Sequence, residues 1–267
     1  MSNIDDSVIN VSDIMTSLNV TQDDLNNIKS ILDNIPDFSN NMYNIQYFIV
    51  LSSLINILTN DINGSIVELG CNCGGTTIRI SKILDLYNCK KSFHVYDTFT
   101  GLPPIDLNKD INQYEDNMVC SISKFSHIME QINIGRMPII HQGLFSEINE
   151  DEYPTQISLA FFDSRLYNSI FDSFKFIWDK LSYKGIIVVN LYDCDKFPGV
   201  KKACIDYFQI INTSNIYTYN ILYSNYKQIV IQKEIISNND TNTNTNIDTN
   251  TDIDTNSLIN TNKFVDI

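Results

Sequence analysis

Apolar residues along this chain change their period twice. Over residues 21–35, Leu25, Ile28, Ile31, Leu32 and Ile35 recur at three- and four-residue intervals behind Thr21, Asp23 and Asp24. A hydroxyl able to cap, then acids that complement the helix dipole, then an apolar stripe predict an amphipathic helix. A second helix is predicted over residues 42–58. There an apolar run is broken by Gln46, Ser52, Ser53 and Asn56. The run falls short of the roughly 20 apolar residues a membrane span requires, so it reads as a buried packing helix.

From residue 65 to 235 the pattern alternates. Short continuous apolar runs at 66–69, 93–96, 138–141, 157–162 and 185–191 predict strands. Helical spacing between and after them predicts helices at 76–87, 118–132, 170–181 and 200–208. Strands that are apolar throughout belong to a parallel sheet covered on both faces. The last two runs, 216–223 and 228–233, are joined by Ser224-Asn225-Tyr226-Lys227 and predict an antiparallel hairpin. Beyond residue 236 the chain is mostly Asn, Thr and Asp, a composition that buries too little surface to offset ordering entropy. Three segments follow: a helical one over 1–60, an α/β domain over 61–236, and a tail over 237–267 expected to be disordered.

Composition narrows the function. A net charge of −14 and the lack of any basic cluster make nucleic acid a poor partner. The N-terminus is polar and acidic, without the features of a secretory signal, and the six cysteines are scattered. Free thiols and a cytoplasmic location are the expectation. Cys71 and Cys73 have no second pair at zinc-like spacing, and no Gly-x-Ser-x-Gly elbow exists.

Two places carry chemistry. Glu68-Leu69-Gly70-Cys71-Asn72-Cys73-Gly74-Gly75 joins the first strand to a helix, where glycines permit a sharp turn and close approach of a ligand. Asp97 ends the second strand, where a carboxylate can accept two hydrogen bonds from a ribose diol. A tight structural turn and a helix cap would ask for the same residue types. The loop by itself leaves the cofactor open, although Asn72 stands where a nicotinamide fingerprint wants glycine.

The succession Val67-Glu68-Leu69-Gly70, Gly74-Gly75 and Tyr96-Asp97-Thr98-Phe99-Thr100-Gly101-Leu102-Pro103-Pro104 resembles the macrocin O-methyltransferase family. Gln142-Gly143-Leu144-Phe145, the run from Phe162 through Ser169, and Pro198-Gly199-Val200-Lys201-Lys202-Ala203 continue the likeness, which covers about residues 60 to 210. The resemblance implies a Rossmann-like class I methyltransferase sheet, mostly parallel with a C-terminal antiparallel hairpin, and S-adenosylmethionine as cofactor. Glu68, Gly70, Asn72, Gly74 and Gly75 would border its methionine end. Asp97 would hold the ribose, Gly143 and Phe145 would border the adenine, and Thr98, Phe99 and Asp163 would also contact the cofactor.

The family also binds a divalent metal, with one Asp after the fourth strand and an Asp-Asp pair after the fifth. Asp163 keeps the first, but Arg165 stands at a neighbouring acidic position and Asn190-Leu191 replace the pair. A Mg²⁺ site on Asp163 and Asn190 would thus hold one charged ligand, unless Asp193 and Asp195 just downstream bend back to replace the pair. Without metal the acceptor hydroxyl needs a general base, for which Asp163, His141 and Asp193 are candidates. Arg165 and Tyr167 are candidates to hold the acceptor, unless Arg165 pairs with Asp163 and silences it. The expected reaction is methyl transfer to a hydroxyl of a sugar or glycosylated small molecule. The N-terminal helices would cover the acceptor pocket or form a homodimer contact. The alternatives are a catalytically degenerate binding or assembly module and a nicotinamide oxidoreductase.

Overall fold

The computed structural model describes residues 11–36, 42, 44–110, 118–211 and 217–235. The tail expected to be disordered lies outside them. Three helices come first: α1 (Val11–Ser17), α2 (Gln22–Asn34) and α3 (Asn44–Thr59). Thr21 caps α2 through a reciprocal pair, its Oγ1 accepting from the Asp24 N–H at 3.2 Å while its own N–H donates to Asp24 Oδ2 at 2.9 Å. Every residue of α3 from Ile45 to Ile57 is buried, which explains why the run looked apolar all round. Of its polar members, Ser53 donates to the Ile49 carbonyl and Asn56 to the Leu18 carbonyl, while the buried Ser52 hydroxyl has no partner among the described residues.

The sheet follows. Its strands are β1 (Ser65–Leu69), β2 (Phe93–Asp97), β3 (Ile139–Gln142), β4 (Ile157–Phe162), β5 (Leu181–Asn190), β6 (Tyr217–Asn225) and β7 (Gln228–Ile235). They lie in the order β3-β2-β1-β4-β5-β7-β6. β1 to β5 are parallel, and β7 joins β5 and β6 antiparallel. The connecting helices are α4 (Gly75–Leu86), α5 (Ile122–Ile132), α6 (Tyr167–Ile177) and α7 (Pro198–Ile211). This is the expected α/β class with its terminal hairpin. Tyr226 and Lys227 turn that hairpin with positive φ values of 52° and 61°, the geometry whose twist matches the flanking strands.

Boundaries shift where local chemistry wins over periodicity. α5 starts at Ile122 rather than at 118 because Ser121 caps it, accepting from the Lys124 N–H. α1 escaped the sequence reading because in seven residues it buries only Ile14. The core also differs from the three-segment expectation. One hydrophobic cluster runs without a break from Ile14, Leu25 and Leu51 to Ile66, Val95 and Phe161 of the sheet. Residues of α1, α2 and α3 therefore share one packed cluster with a face of the sheet. A second cluster, on the other face, joins Phe162, Trp178, Val189 and Phe208.

No helix among the described residues is long and apolar enough to cross a membrane. All six cysteines are free.

Candidate functional site

The strand order reverses between β1 and β4, which places a crevice beyond the carboxyl ends of the parallel strands. A cleft of about 860 Å³, counted out to its mouth, opens there. Its walls include Gly70, Asn72, Gly75, Asp97, Thr98, Phe145, Asp163, Arg165 and Asn190. These residues come from five separate chain segments, and all had been singled out from the sequence.

The turn after β1 is shaped by close packing. Gly70 has φ of 97°, and a Cβ there would lie 2.6 Å from the Asp163 carbonyl oxygen. Its N–H donates to Tyr96 and its neighbour Leu69 accepts from the Asp163 N–H, so the ends of β1, β2 and β4 are tied side by side. Gly74 takes a left-handed φ of 83° that strains any side chain, and a Cβ there would also press on the Met129 and Phe125 side chains of α5. Gly74 thus serves helix packing and does not line the cleft. Asn72 sits at φ 45°, a left-handed conformation that asparagine tolerates.

Asp97 is fixed at the tip of β2. Its Oδ2 accepts from the Asn72 N–H at 2.8 Å and its Oδ1 from the Phe99 N–H at 2.9 Å. Oδ1 also faces the Thr98 hydroxyl at 3.5 Å, and Oδ2 keeps a further lone pair for a ligand. Phe99 itself is buried against Phe125 and contributes its backbone. Gly143, just beyond β3, donates its N–H to the Asp97 carbonyl.

Glu68 lies beneath the cleft, 1% exposed, its Oε2 accepting from Thr77 Oγ1 at 2.7 Å. Burial pushes its pKa up to about 8, against the Thr77 hydrogen bond, and the charges of Asp163 and Asp97 add to the rise. Burial also raises Asp97 and Asp163. Two carboxylates in the wall of the cleft, Asp97 and Asp163, favour a ligand that brings positive charge.

Asp163 follows β4, and its Oδ1 accepts from Asn190 Nδ2 at 2.7 Å. Asn190 Oδ1 accepts in turn from Gln46 Nε2 of α3 at 3.1 Å and Gln228 Nε2 of β7 at 3.2 Å. Gln46 Nε2 also donates to the Tyr226 carbonyl at 3.3 Å, which fixes its amide and, through it, the orientation of Asn190. The residues therefore do not fit Mg²⁺. Asn190 presents an N–H donor to Asp163, its oxygen is already engaged twice, and Leu191 has no ligating atom. Among the described residues no three His, Cys, Asp or Glu side chains converge on a point that could hold a metal.

Three sequence candidates lie elsewhere. His141 faces away, stacked on Tyr96 at 4.4 Å, with Nε2 3.0 Å from His94 Nδ1 and Nδ1 3.3 Å from Glu152. Asp193 is exposed and paired with Lys201 at 3.1 Å. Tyr167 directs its hydroxyl to Asp206 at 2.8 Å. None of the three lines the cleft, which leaves Asp163 as the candidate base. Arg165 is half-buried, 5.1 Å from the Phe197 ring centroid. It makes no direct ion pair with Asp163 but lowers that pKa through space. Gln46 and Gln228 were missed as site residues. A glutamine inside an apolar helix was the visible signal, but its partner lies 144 residues away.

Solved structures share this architecture. The O-methyltransferase NovP superposes with a TM-score of 0.57 at 18% identity, over 67% of this chain and 75% of its own. The calicheamicin methyltransferase CalS11 gives 0.53 at 16%, over 79% and 91%. The S-adenosylhomocysteine-bound methyltransferase PaMTH1 of Podospora anserina gives 0.52 at 14%, over 81% and 89%. No curated protein sequence matches significantly. Likeness at these identities establishes a class I methyltransferase fold. The sequence goes further, because the family model described as Macrocin-O-methyltransferase (TylF) matches residues 13–216, more than half of its length, α2 and α3 included. The chain belongs to the macrocin-O-methyltransferase family.

Proposed function

We propose that this protein is an S-adenosylmethionine-dependent O-methyltransferase acting on a hydroxyl of a sugar or glycosylated small molecule. The observation that carries the reading is the pairing of two acids across one cleft. Asp97 is held by backbone N–H groups at the end of β2, and Asp163 is held by Asn190 at the end of β4. The residues suit the cofactor: Asp97 can accept from a ribose diol, and the carboxylates of Asp97 and Asp163 favour a cationic sulfonium.

Bound there, S-adenosylmethionine supplies an electrophilic methyl group. The protein's own part is proton transfer and orientation. Asp163 would take the acceptor's hydroxyl proton during the transfer, and its raised pKa makes it a stronger base than an exposed aspartate. Asn190 leaves the other Asp163 oxygen free for that proton. Orienting donor and acceptor in one desolvated cleft supplies much of the remaining rate. No metal takes part in this scheme.

Calorimetric titration with S-adenosylhomocysteine tests it. Micromolar binding that is unchanged by chelator is expected, with Asp97→Ala weakening it by at least about tenfold, the worth of a charge-assisted hydrogen bond. Asp163→Asn should keep that affinity and lower kcat by about 10²- to 10⁴-fold. Binding of NADH instead would overturn the cofactor assignment. Cofactor binding without turnover on any sugar would make the chain a binding module.

A further inference from the structure

We propose that the acceptor carries an oxyanion, a carboxylate or a phosphate, and that Arg165 binds it. The inference rests on the methyltransferase reading for what the acceptor undergoes, though not for the anion site itself.

The chain has three arginines. Arg79 donates to the carbonyls of Gly75 at 2.8 Å and Ile35 at 3.0 Å. Arg136 donates to those of Cys89 at 3.0 Å and Lys91 at 3.1 Å. Arg165 lines the cleft, and its guanidinium makes no hydrogen bond and no ion pair among the described residues. That is unexpected in a chain of net charge −14, where Lys180, Lys184, Lys201 and Lys202 all find carboxylates. A half-buried guanidinium with five uncommitted N–H donors is matched in shape and charge to a carboxylate or a phosphate, which it grips through two parallel hydrogen bonds.

The surroundings strengthen the assignment. The ring of Phe197 lies under the guanidinium, and Lys196 Nζ lies 5.8 Å from the same ring. Lys196 has no carboxylate partner among the described residues either. Lys196 thus adds a second cation beside that ring, outside the lining of the cleft itself. Arg165 is also two residues from Asp163, so their Cα atoms are at most about 7 Å apart. A single small molecule can therefore offer its hydroxyl to Asp163 and its anionic group to Arg165.

Three probes test this by calorimetry at low salt with S-adenosylhomocysteine present: glucose, glucuronic acid and glucose 1-phosphate. At least one anionic sugar should bind about tenfold or more tightly than glucose, the worth of a charge-assisted bidentate contact. Preference for glucuronic acid identifies a carboxylate acceptor, and preference for glucose 1-phosphate a phosphorylated one. Arg165→Met should reduce the favoured probe to the affinity of glucose, Arg165→Lys should recover only part of the loss, and the unfolding transition of each variant shows that it is folded. Equal binding of all three probes, binding of none, or a preference that survives Arg165→Met overturns the proposal. Failure of S-adenosylhomocysteine to bind sinks the methyltransferase reading instead, and Arg165-dependent anion binding without it leaves the anion site standing.

Discussion

At the scale of single residues, the site is governed by what burial does to charge. Glu68 has an ordinary pKa of 4.5 and a folded-state value of about 8. Between these values the native state holds a proton that the unfolded chain has released, so stability falls as pH rises from about 4.5 to about 8. One such group contributes a slope of up to roughly 1 kcal/mol per pH unit, and nothing below the lower value. Glutamine at this position keeps an oxygen for the Thr77 hydroxyl and cannot ionise. Glu68→Gln should therefore flatten the decline in unfolding free energy between pH 5 and pH 8, measured by urea denaturation. Asp97 and Asp163, also raised by burial, leave a residual slope. A variant as pH-sensitive as the parent would show that Glu68 is ionised in the fold.

At the scale of elements, the Asn190 amide is where α3, β5 and the β6–β7 hairpin meet. Gln46 reaches it from α3 and Gln228 from β7, and it passes their constraint to Asp163. Gln46→Leu keeps the volume and apolar character of α3 but strips a donor from the Tyr226 carbonyl and from Asn190. Leaving buried acceptors short should cost about 1–3 kcal/mol of stability. If Gln46 positions the base, kcat should fall more than KM rises, and Gln46→Glu should not rescue it because a carboxylate has no N–H to donate. Equal kcat in a destabilised Gln46→Leu protein would reduce Gln46 to a structural part. This network also marks how far the sequence could be read. Thr21, Gly70 and Asp97 were legible because a cap, a tight turn and a strand end act within a few residues. The pairing of Gln46 with Asn190 spans 144 positions and leaves no local trace. His141 was misleading for a related reason: position along a strand gives proximity to the site, but alternation decides the face, and its ring joins the stack with Tyr96 and His94. Asp193 and Tyr167 were near in sequence too, and Lys201 and Asp206 hold them elsewhere.

At the scale of the whole molecule, the question is whether the N-terminal helices are separable from the sheet. Composition and the run of motifs suggested a break near residue 60, since the recognisable signatures begin with β1. Packing runs across that break. α3 is buried along nearly its whole length, and Leu51, Leu54 and Ile55 share one cluster with Ile66 of β1 and Val188 of β5. The family match likewise begins at residue 13. Removing residues 1–60 would uncover one face of a parallel sheet, whose strands are apolar on both sides and have no polar face to offer water. It would also take Gln46 from the Asn190 network and Asp24 from its hydrogen bond with Tyr87 of the α4 terminus. The intact chain should unfold in one cooperative step, with circular dichroism and intrinsic fluorescence coinciding. The truncated chain should show no such transition and should bind no S-adenosylhomocysteine. A soluble 61–267 fragment that melts cooperatively and retains the ligand would place the domain boundary back at residue 60. It would also make the helical layer an accessory to a site that can assemble without it.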